Sequence, residues 1–78
     1  MLIRIVDEQG DPIEDVYCRV NTVHYKGHRK MESDAKGKVQ LESLPDTKIE
    51  MFLYKNGYQS KLWTGEVKKK LKIVLEKN

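Results

Sequence analysis

The segment SDAKGKVQLESLPDTKIEMFLYKNGY, residues 33–58, decides the fold because turn residues alternate in it with strand-like runs. Residues 34–37 suit a type I turn closed by a glycine with positive φ, a conformation in which a Cβ atom would clash. The resulting three-residue loop would pair Met31 with Leu41 across a hairpin. We therefore expect Met31, Val39 and Leu41 to share one half-buried face.

The second half of the segment predicts another strand. Residues 49–54 alternate between aliphatic and other side chains with a period of two, as in a half-buried strand. Asn56-Gly57 follows at once and favours a two-residue hairpin turn. This turn would pair Phe52 with Lys61 and Glu50 with Trp63. That register places Met51, Leu53 and Leu62 on one face, and Phe52, Tyr54 and Trp63 on the other.

The rest of the chain continues the pattern of short strands and turns. Further strands are predicted at 2–6, 16–22, 29–33, 58–64 and 71–75, separated by a turn at 7–12, a loop at 24–28, a break at 44–47 and Gly65. Turn signals recur every ~8–12 residues, and no segment has a helical period. We expect an all-β fold, a seven-stranded Greek-key β-sandwich, formed by residues 1–78 as a single domain.

Composition limits the size of the core and the cellular setting. Hydrophobic residues make up 38% of the 78 residues and charged residues 35%, which predicts a thin apolar layer under a charged surface. No apolar run approaches the ~20 residues of a membrane helix, and MLIRIVDEQG at the N-terminus does not resemble a signal peptide. The sequence as it stands therefore favours a cytoplasmic location.

The net charge of +3 only weakly favours an acidic partner. Lys68, Lys69, Lys70 and Lys72 form one cluster, which we interpret as protection of a sheet edge, because lysine on an edge strand discourages stray pairing. Nucleic-acid binding through this lysine-rich strand is the less favoured alternative, since a basic patch alone is weak support for it.

Four pieces of the chain together resemble the carboxypeptidase regulatory-like domains, which are transthyretin-like (prealbumin-like) β-sandwiches. The pieces are VDEQGDPIEDVYCRV at 6–20, ESDAKGKVQLESLP at 32–45, KNGY at 55–58 and LKIVL at 71–75. The resemblance implies an accessory domain, often extracytoplasmic, that docks or supports another module without catalysis of its own. The first two pieces are also similar to the transthyretin-like extensions of type VI secretion spike proteins, which dock effectors or adaptors.

Catalytic and metal-binding patterns are weak. His24 and His28 are four residues apart in a predicted loop, and a zinc site needs at least three protein ligands. Cys18 alternates with Val16 and Val20, which predicts a small buried residue. The acidic first turn lacks the ligand spacing of a calcium loop. We expect no catalytic residue, no cofactor and no metal ion.

The predicted hairpin register suggests a partner-binding surface. Phe52, Tyr54 and Trp63 would form an outward aromatic patch flanked by Lys61 and Glu50. Contiguous exposed aromatic residues are typical of protein–protein interfaces, so we predict a binding module that acts through protein contacts or supports a neighbouring domain. Two alternatives stay open: sugar rings could stack on Trp63, or loop residues such as Leu44 or Tyr25 could cover the patch.

Overall fold

The computed structural model describes residues 1–22, 28–41 and 48–78. Strands are the regular elements of these residues. Their bounds are β1 Leu2–Val6, β2 Tyr17–Thr22, β3 His28–Glu32, β4 Lys38–Gln40, β5 Lys48–Tyr54, β6 Lys61–Glu66 and β7 Lys70–Val74. None of the described residues belongs to a helix long and apolar enough to cross a membrane.

The strands form two sheets, in the orders β4-β1-β7 and β3-β2-β5-β6. β1 is antiparallel to β4 and parallel to β7, whereas all pairs in the four-stranded sheet are antiparallel. The two sheets share one hydrophobic core. This architecture confirms the prediction of an all-β, seven-stranded sandwich.

The core consists of the inward side chains of both sheets. Because side chains alternate along a strand, β1 contributes Ile3 and Ile5 while Arg4 between them is exposed. The other strands obey the same rule and supply, among others, Cys18, Val20, Val39, Ile49, Met51, Leu53 and Ile73. The outward side chains of each sheet therefore form the two outer surfaces of the sandwich.

The predicted turn at residues 34–37 is confirmed. Asp34 Oδ1 accepts hydrogen bonds from the N–H groups of Lys36 and Lys38, both at 2.9 Å, and Gly37 has a φ of 72°. These backbone N–H groups, with the charges of the two lysines, lower the pKa of Asp34.

The predicted pairing beyond this turn is wrong. β3 pairs with β2, and β4 pairs with β1 in the other sheet, so the turn connects the two sheets instead of closing a hairpin. Ser33 explains the divergence, because its hydroxyl donates to the Ile13 carbonyl at 2.7 Å and accepts from the Val16 N–H at 2.9 Å. These bonds hold Ser33 beside the segment that leads into β2.

The first turn is also confirmed. Asp7 Oδ1 accepts from the N–H groups of Gln9 and Asp11, both at 2.9 Å, and Gly10 has a φ of 88°. The Asp7 side chain, which is 8% exposed, thus satisfies backbone donors of its own turn.

The predicted register between β5 and β6 is wrong by one residue. Met51 pairs with Trp63 and Phe52 pairs with Leu62, and β6 begins only at Lys61. The cause is distant in sequence: Tyr58 bridges Lys77, and the Gln59 N–H donates to the Glu76 carbonyl at 2.8 Å. The Asn56-Gly57 turn itself forms, with a Gly57 φ of 91° and a hydrogen bond from the Tyr58 N–H to the Lys55 carbonyl at 3.0 Å, but the pairing of β5 with β6 does not start directly from it. The resulting shift of one residue exchanges the two faces of the strand.

Two smaller predictions can also be assessed. Gly65 does not end a strand, because it lies inside β6. The predicted loop at 24–28 and the break at 44–47 lie outside the described residues, except that His28 begins β3.

Candidate partner-binding face

The outward surface of the four-stranded sheet carries a group of large side chains, here called the aromatic face. It consists of Tyr17, Arg19, Phe52, Tyr54 and Leu62. β2 and β5 place Tyr17 opposite Tyr54 and Arg19 opposite Phe52, and β5 and β6 place Phe52 opposite Leu62. Directly opposed side chains on one face of a sheet are close enough to interact, so these residues form one continuous surface.

The aromatic face is most open to solvent at Leu62 on the edge strand β6 and at Tyr54. Leu62 is 60% exposed and Tyr54 is 49% exposed, while Tyr17 and Phe52 are half-buried. The Arg19 guanidinium carbon lies 5.9 Å from the centre of the Phe52 ring, which is a cation–π distance. This contact covers part of the ring and holds a cation within an otherwise apolar group.

Charged residues and a shallow hollow border the aromatic face. Glu32 lies opposite Tyr17 and Lys30 lies opposite Arg19, both on the edge strand β3. An open hollow of about 460 Å³ is lined there by Tyr17, Lys30, Met31 and Glu32. Apolar residues in the middle and charges at the border match the anatomy of a protein interface.

Three of the five residues predicted to bind a partner lie on this sheet surface. Phe52 and Tyr54 belong to the aromatic face, and Glu50 is an exposed neighbour on the same side of β5. The prediction that Phe52 and Tyr54 point away from the core is therefore confirmed, and their role in binding stays a prediction.

Trp63 and Lys61 are not part of this surface, so the prediction that Trp63 shares an outward patch with Phe52, flanked by Lys61, is wrong. Trp63 lies opposite the buried Met51 and packs, half-buried, against the core. Its ring lies over Gly65, where an added Cβ would be only 2.9 Å from Trp63 Cη2 and Cζ2. Gly65 thus leaves the space that the indole ring needs.

Lys61 contacts the three-stranded sheet. It lies on the same side of β6 as Trp63, and its Nζ donates to the Val74 carbonyl on β7 at 3.4 Å. This long bond spans from the four-stranded sheet to the three-stranded sheet, so Lys61 contacts the other layer instead of flanking the aromatic face.

Sequence reasoning missed Tyr17, Arg19 and Leu62. The alternation of β2 does predict that Tyr17 and Arg19 point outward. Their position beside Phe52 depends on the pairing of β2 with β5, which no local motif specifies. The predicted register places Leu62 in the core, and the shift of one residue places it on the aromatic face.

The described residues include no group of three or more His, Cys, Asp or Glu side chains placed to hold a metal ion. Cys18 is fully buried, as predicted, and burial raises its pKa to about 12. The thiol is therefore protonated at neutral pH and is a poor nucleophile there. The side chains of His24 and His28 lie outside the described part of the structure.

Comparison with known proteins adds information about the fold. No protein-family profile and no curated protein sequence matches the chain. Among solved structures, it is similar to the crystal structure of 3-chlorocatechol 1,2-dioxygenase from Rhodococcus opacus 1CP, with a TM-score of 0.78 and 13% sequence identity. The match covers 99% of this chain and 59% of that chain. At this identity the likeness shows a shared β-rich fold.

Proposed function

We propose that this chain is a non-catalytic accessory or binding module that acts through protein–protein contacts, and that the aromatic face is its contact surface. One observation carries the proposal: Tyr17, Arg19, Phe52, Tyr54 and Leu62 are continuous across three strands, and two of them are about half exposed or more. Aromatic residues and arginine supply most of the binding energy at protein interfaces.

The rigidity of the surface favours binding. The face lies on paired strands, so its backbone is ordered before a partner arrives, and binding needs little further ordering of the chain. The contact between Arg19 and Phe52 restricts two long side chains in advance. The hollow beside Tyr17 offers space for one side chain of a partner.

The placement of Trp63 bears on the carbohydrate alternative. That alternative needs Trp63 and Phe52 on one exposed surface, and Trp63 packs on the core side of β6. The protein-binding proposal does not depend on Trp63. The sandwich architecture is compatible with the carboxypeptidase regulatory-like resemblance, which implies a role in docking or support and stays part of the proposal.

A comparison of two variants tests the proposal. Phe52→Ala combined with Leu62→Ala removes the centre of the aromatic face, whereas Val74→Ala shortens an exposed aliphatic residue on the other sheet. Each protein is immobilised, and proteins captured from a native lysate are quantified by mass spectrometry. We expect at least one partner to lose roughly tenfold or more in binding to the double variant, because truncated hot spots commonly cost about 2 kcal/mol.

Melting curves must accompany this experiment, since only a folded double variant is informative. A partner that binds the wild type and Val74→Ala equally, but not the folded double variant, supports the proposal. If all captured proteins bind the three chains equally, the aromatic face is not the contact surface.

A further inference from the structure

The outward surface of the three-stranded sheet differs from the aromatic face and is here called the basic face. It consists of Arg4 on β1, Lys38 on β4, and Lys70 and Lys72 on β7. The remaining outward positions of these three strands are Leu2, Val6, Gln40 and Val74, so the strands carry four cations and no anion on this side. Since the whole chain has a net charge of +3, the other residues together are net negative.

The centre of the basic face is a row of three like charges. Arg4 lies directly opposite Lys38 on one side and directly opposite Lys72 on the other. Like charges at directly opposed positions destabilise a sheet. Neighbouring strands are about 4.8 Å apart, so the three charged stems span roughly 10 Å.

Protection of sheet edges does not account for this row. β4 and β7 are the edges of the three-stranded sheet, which explains Lys38, Lys70 and Lys72. Arg4, however, is exposed on the central strand β1, which has a partner on both sides. Edge protection therefore does not explain the exposed Arg4 opposite two lysines on the central strand.

We propose that the basic face binds the phosphate backbone of double-stranded nucleic acid without sequence specificity. The face has no aromatic residue among its strand positions, so it offers no platform on which single-stranded bases could stack. Its apolar strand positions are aliphatic: Val74 is 37% exposed, Leu2 is half-buried and Val6 is buried. None of them is an aromatic anchor of the kind that stabilises protein interfaces. Four cations alone gain substantial affinity only from a polyelectrolyte, whose condensed counterions they release.

Other charged residues lie next to the basic face and contribute to its net charge. Lys36, Lys68 and Lys69 are exposed next to its ends and extend the positive surface. The Asp34 carboxylate lies near Lys36 and Lys38, whose charges help to lower its pKa, and its Oδ1 accepts two backbone N–H groups of the turn. Glu76 follows the end of β7.

The salt dependence of binding tests this proposal quantitatively. A fluorescent DNA duplex of about 20 base pairs is titrated with the protein between roughly 50 and 200 mM salt, and anisotropy gives the affinity. For four phosphate contacts we expect a slope of log K against log salt of about −3.6. Arg4→Gln combined with Lys72→Gln should make the slope shallower by about 2.

The matched control is Lys48→Gln, which removes an exposed lysine from the other sheet and should leave the slope unchanged. The double glutamine variant should fold with an unchanged or higher melting temperature, because it removes like-charge repulsion. Weaker duplex binding at low salt by the double glutamine variant, but not by Lys48→Gln, supports the basic face. No duplex binding by the wild type at low salt, or an unaltered slope in the variant, overturns the proposal.

Two further probes distinguish the kind of anion. Poly-L-glutamate and vesicles containing anionic lipid are offered at the same charge concentration as the duplex. Tighter binding to either one than to the duplex overturns the nucleic-acid assignment. The Phe52→Ala, Leu62→Ala variant should bind the duplex normally, so failure of this proposal and failure of the proposed protein contact remain distinguishable.

Discussion

Arginine occurs at the centre of each outer surface of this sandwich, in two opposite settings. Arg19 lies over the Phe52 ring, in a contact that favours the charge. Arg4 lies directly opposite Lys38 and Lys72, and like charges at opposed positions disfavour a sheet. The comparison shows that the neighbour across the sheet, and not the neighbour along the chain, decides what an outward strand residue does. The four-stranded sheet thus presents a mixed aromatic surface, and the three-stranded sheet presents a repulsive basic one.

The comparison of the two faces requires that both sheets share one core. Leu53 of the four-stranded sheet is 0% exposed and Ile73 of the three-stranded sheet is 2% exposed. Replacement of either residue by alanine should cost about 2–5 kcal/mol through lost burial and cavity formation. Val74→Ala, one residue beyond Ile73 and outward-facing, should cost less than about 0.5 kcal/mol.

Urea denaturation of the three variants gives these differences. A shared core predicts that the two core variants lose similar amounts of unfolding free energy. It also predicts that each variant unfolds both sheets in one transition. If Leu53→Ala or Ile73→Ala unfolds at the same urea concentration as the parent, the assignment of inward faces fails for that sheet.

The two sides of β5 and β6 can be separated with Trp63 and Phe52. Trp63→Ala should cost about 2–3 kcal/mol, below the range for a fully buried ring, because Trp63 is half-buried against the core. Phe52→Ala should cost less than about 1 kcal/mol, because Phe52 lies on the outer surface. Thermal melting followed by circular dichroism measures both. A larger loss for Phe52→Ala than for Trp63→Ala would contradict the register in which Met51 pairs with Trp63.

The turn that joins the two sheets is open to a test with two glycines. Gly37 and Gly10 both have positive φ, but a Cβ at Gly37 would contact the Ile5 carbonyl oxygen, and a Cβ at Gly10 would have no atom within 4 Å. Gly10→Ala therefore introduces backbone strain alone, whereas Gly37→Ala adds a steric clash. We expect Gly37→Ala to cost about 1–3 kcal/mol and Gly10→Ala less. Equal unfolding free energies for the two variants would show that the clash is relieved.

Alkaline pH should lower the free energy of unfolding through Cys18, which lies on β2 of the sheet that carries the aromatic face. Burial raises the Cys18 pKa from 9.0 to about 12, so the folded state retains the proton that the unfolded state loses. The free energy of unfolding does not depend on Cys18 well below pH 9, and it declines as the pH rises from 9 towards 12, by about 1.4 kcal/mol at pH 10. Denaturation of the parent and of Cys18→Ala at pH 7 and pH 10 isolates this effect. The same pH dependence in both proteins would exclude Cys18 as its source.

Local features of the fold were predictable from sequence. The turns at Asp7 and Asp34 depend on a side chain that accepts N–H groups a few residues later and on a glycine with positive φ, and both requirements are visible in a short window. The strand periods were also predictable, because a period of two is a local pattern. These signals were sufficient for an all-β, seven-stranded sandwich.

Pairings between distant segments were not predictable. The Asn56-Gly57 turn forms as predicted, yet Tyr58 and Gln59 then bond with Lys77 and Glu76, so the pairing of β5 with β6 begins only at Lys61. The shift of one residue exchanged Leu62 and Trp63 between the core and the aromatic face. The basic face likewise combines residues near positions 4, 38 and 72, so the lysine cluster alone did not reveal it.

The parallel pairing of β1 with β7 has a consequence for how this chain folds. β1 obtains its second neighbour only when residues 70–74 have arrived, nearly 70 residues later in the chain. Contacts of such sequence separation slow folding, because a large loop must close before the contact stabilises it. During synthesis on the ribosome, β1 therefore waits until β7 has emerged, and until then its edge is available to other strands. Fragments that lack β7 should consequently aggregate more readily than the whole chain.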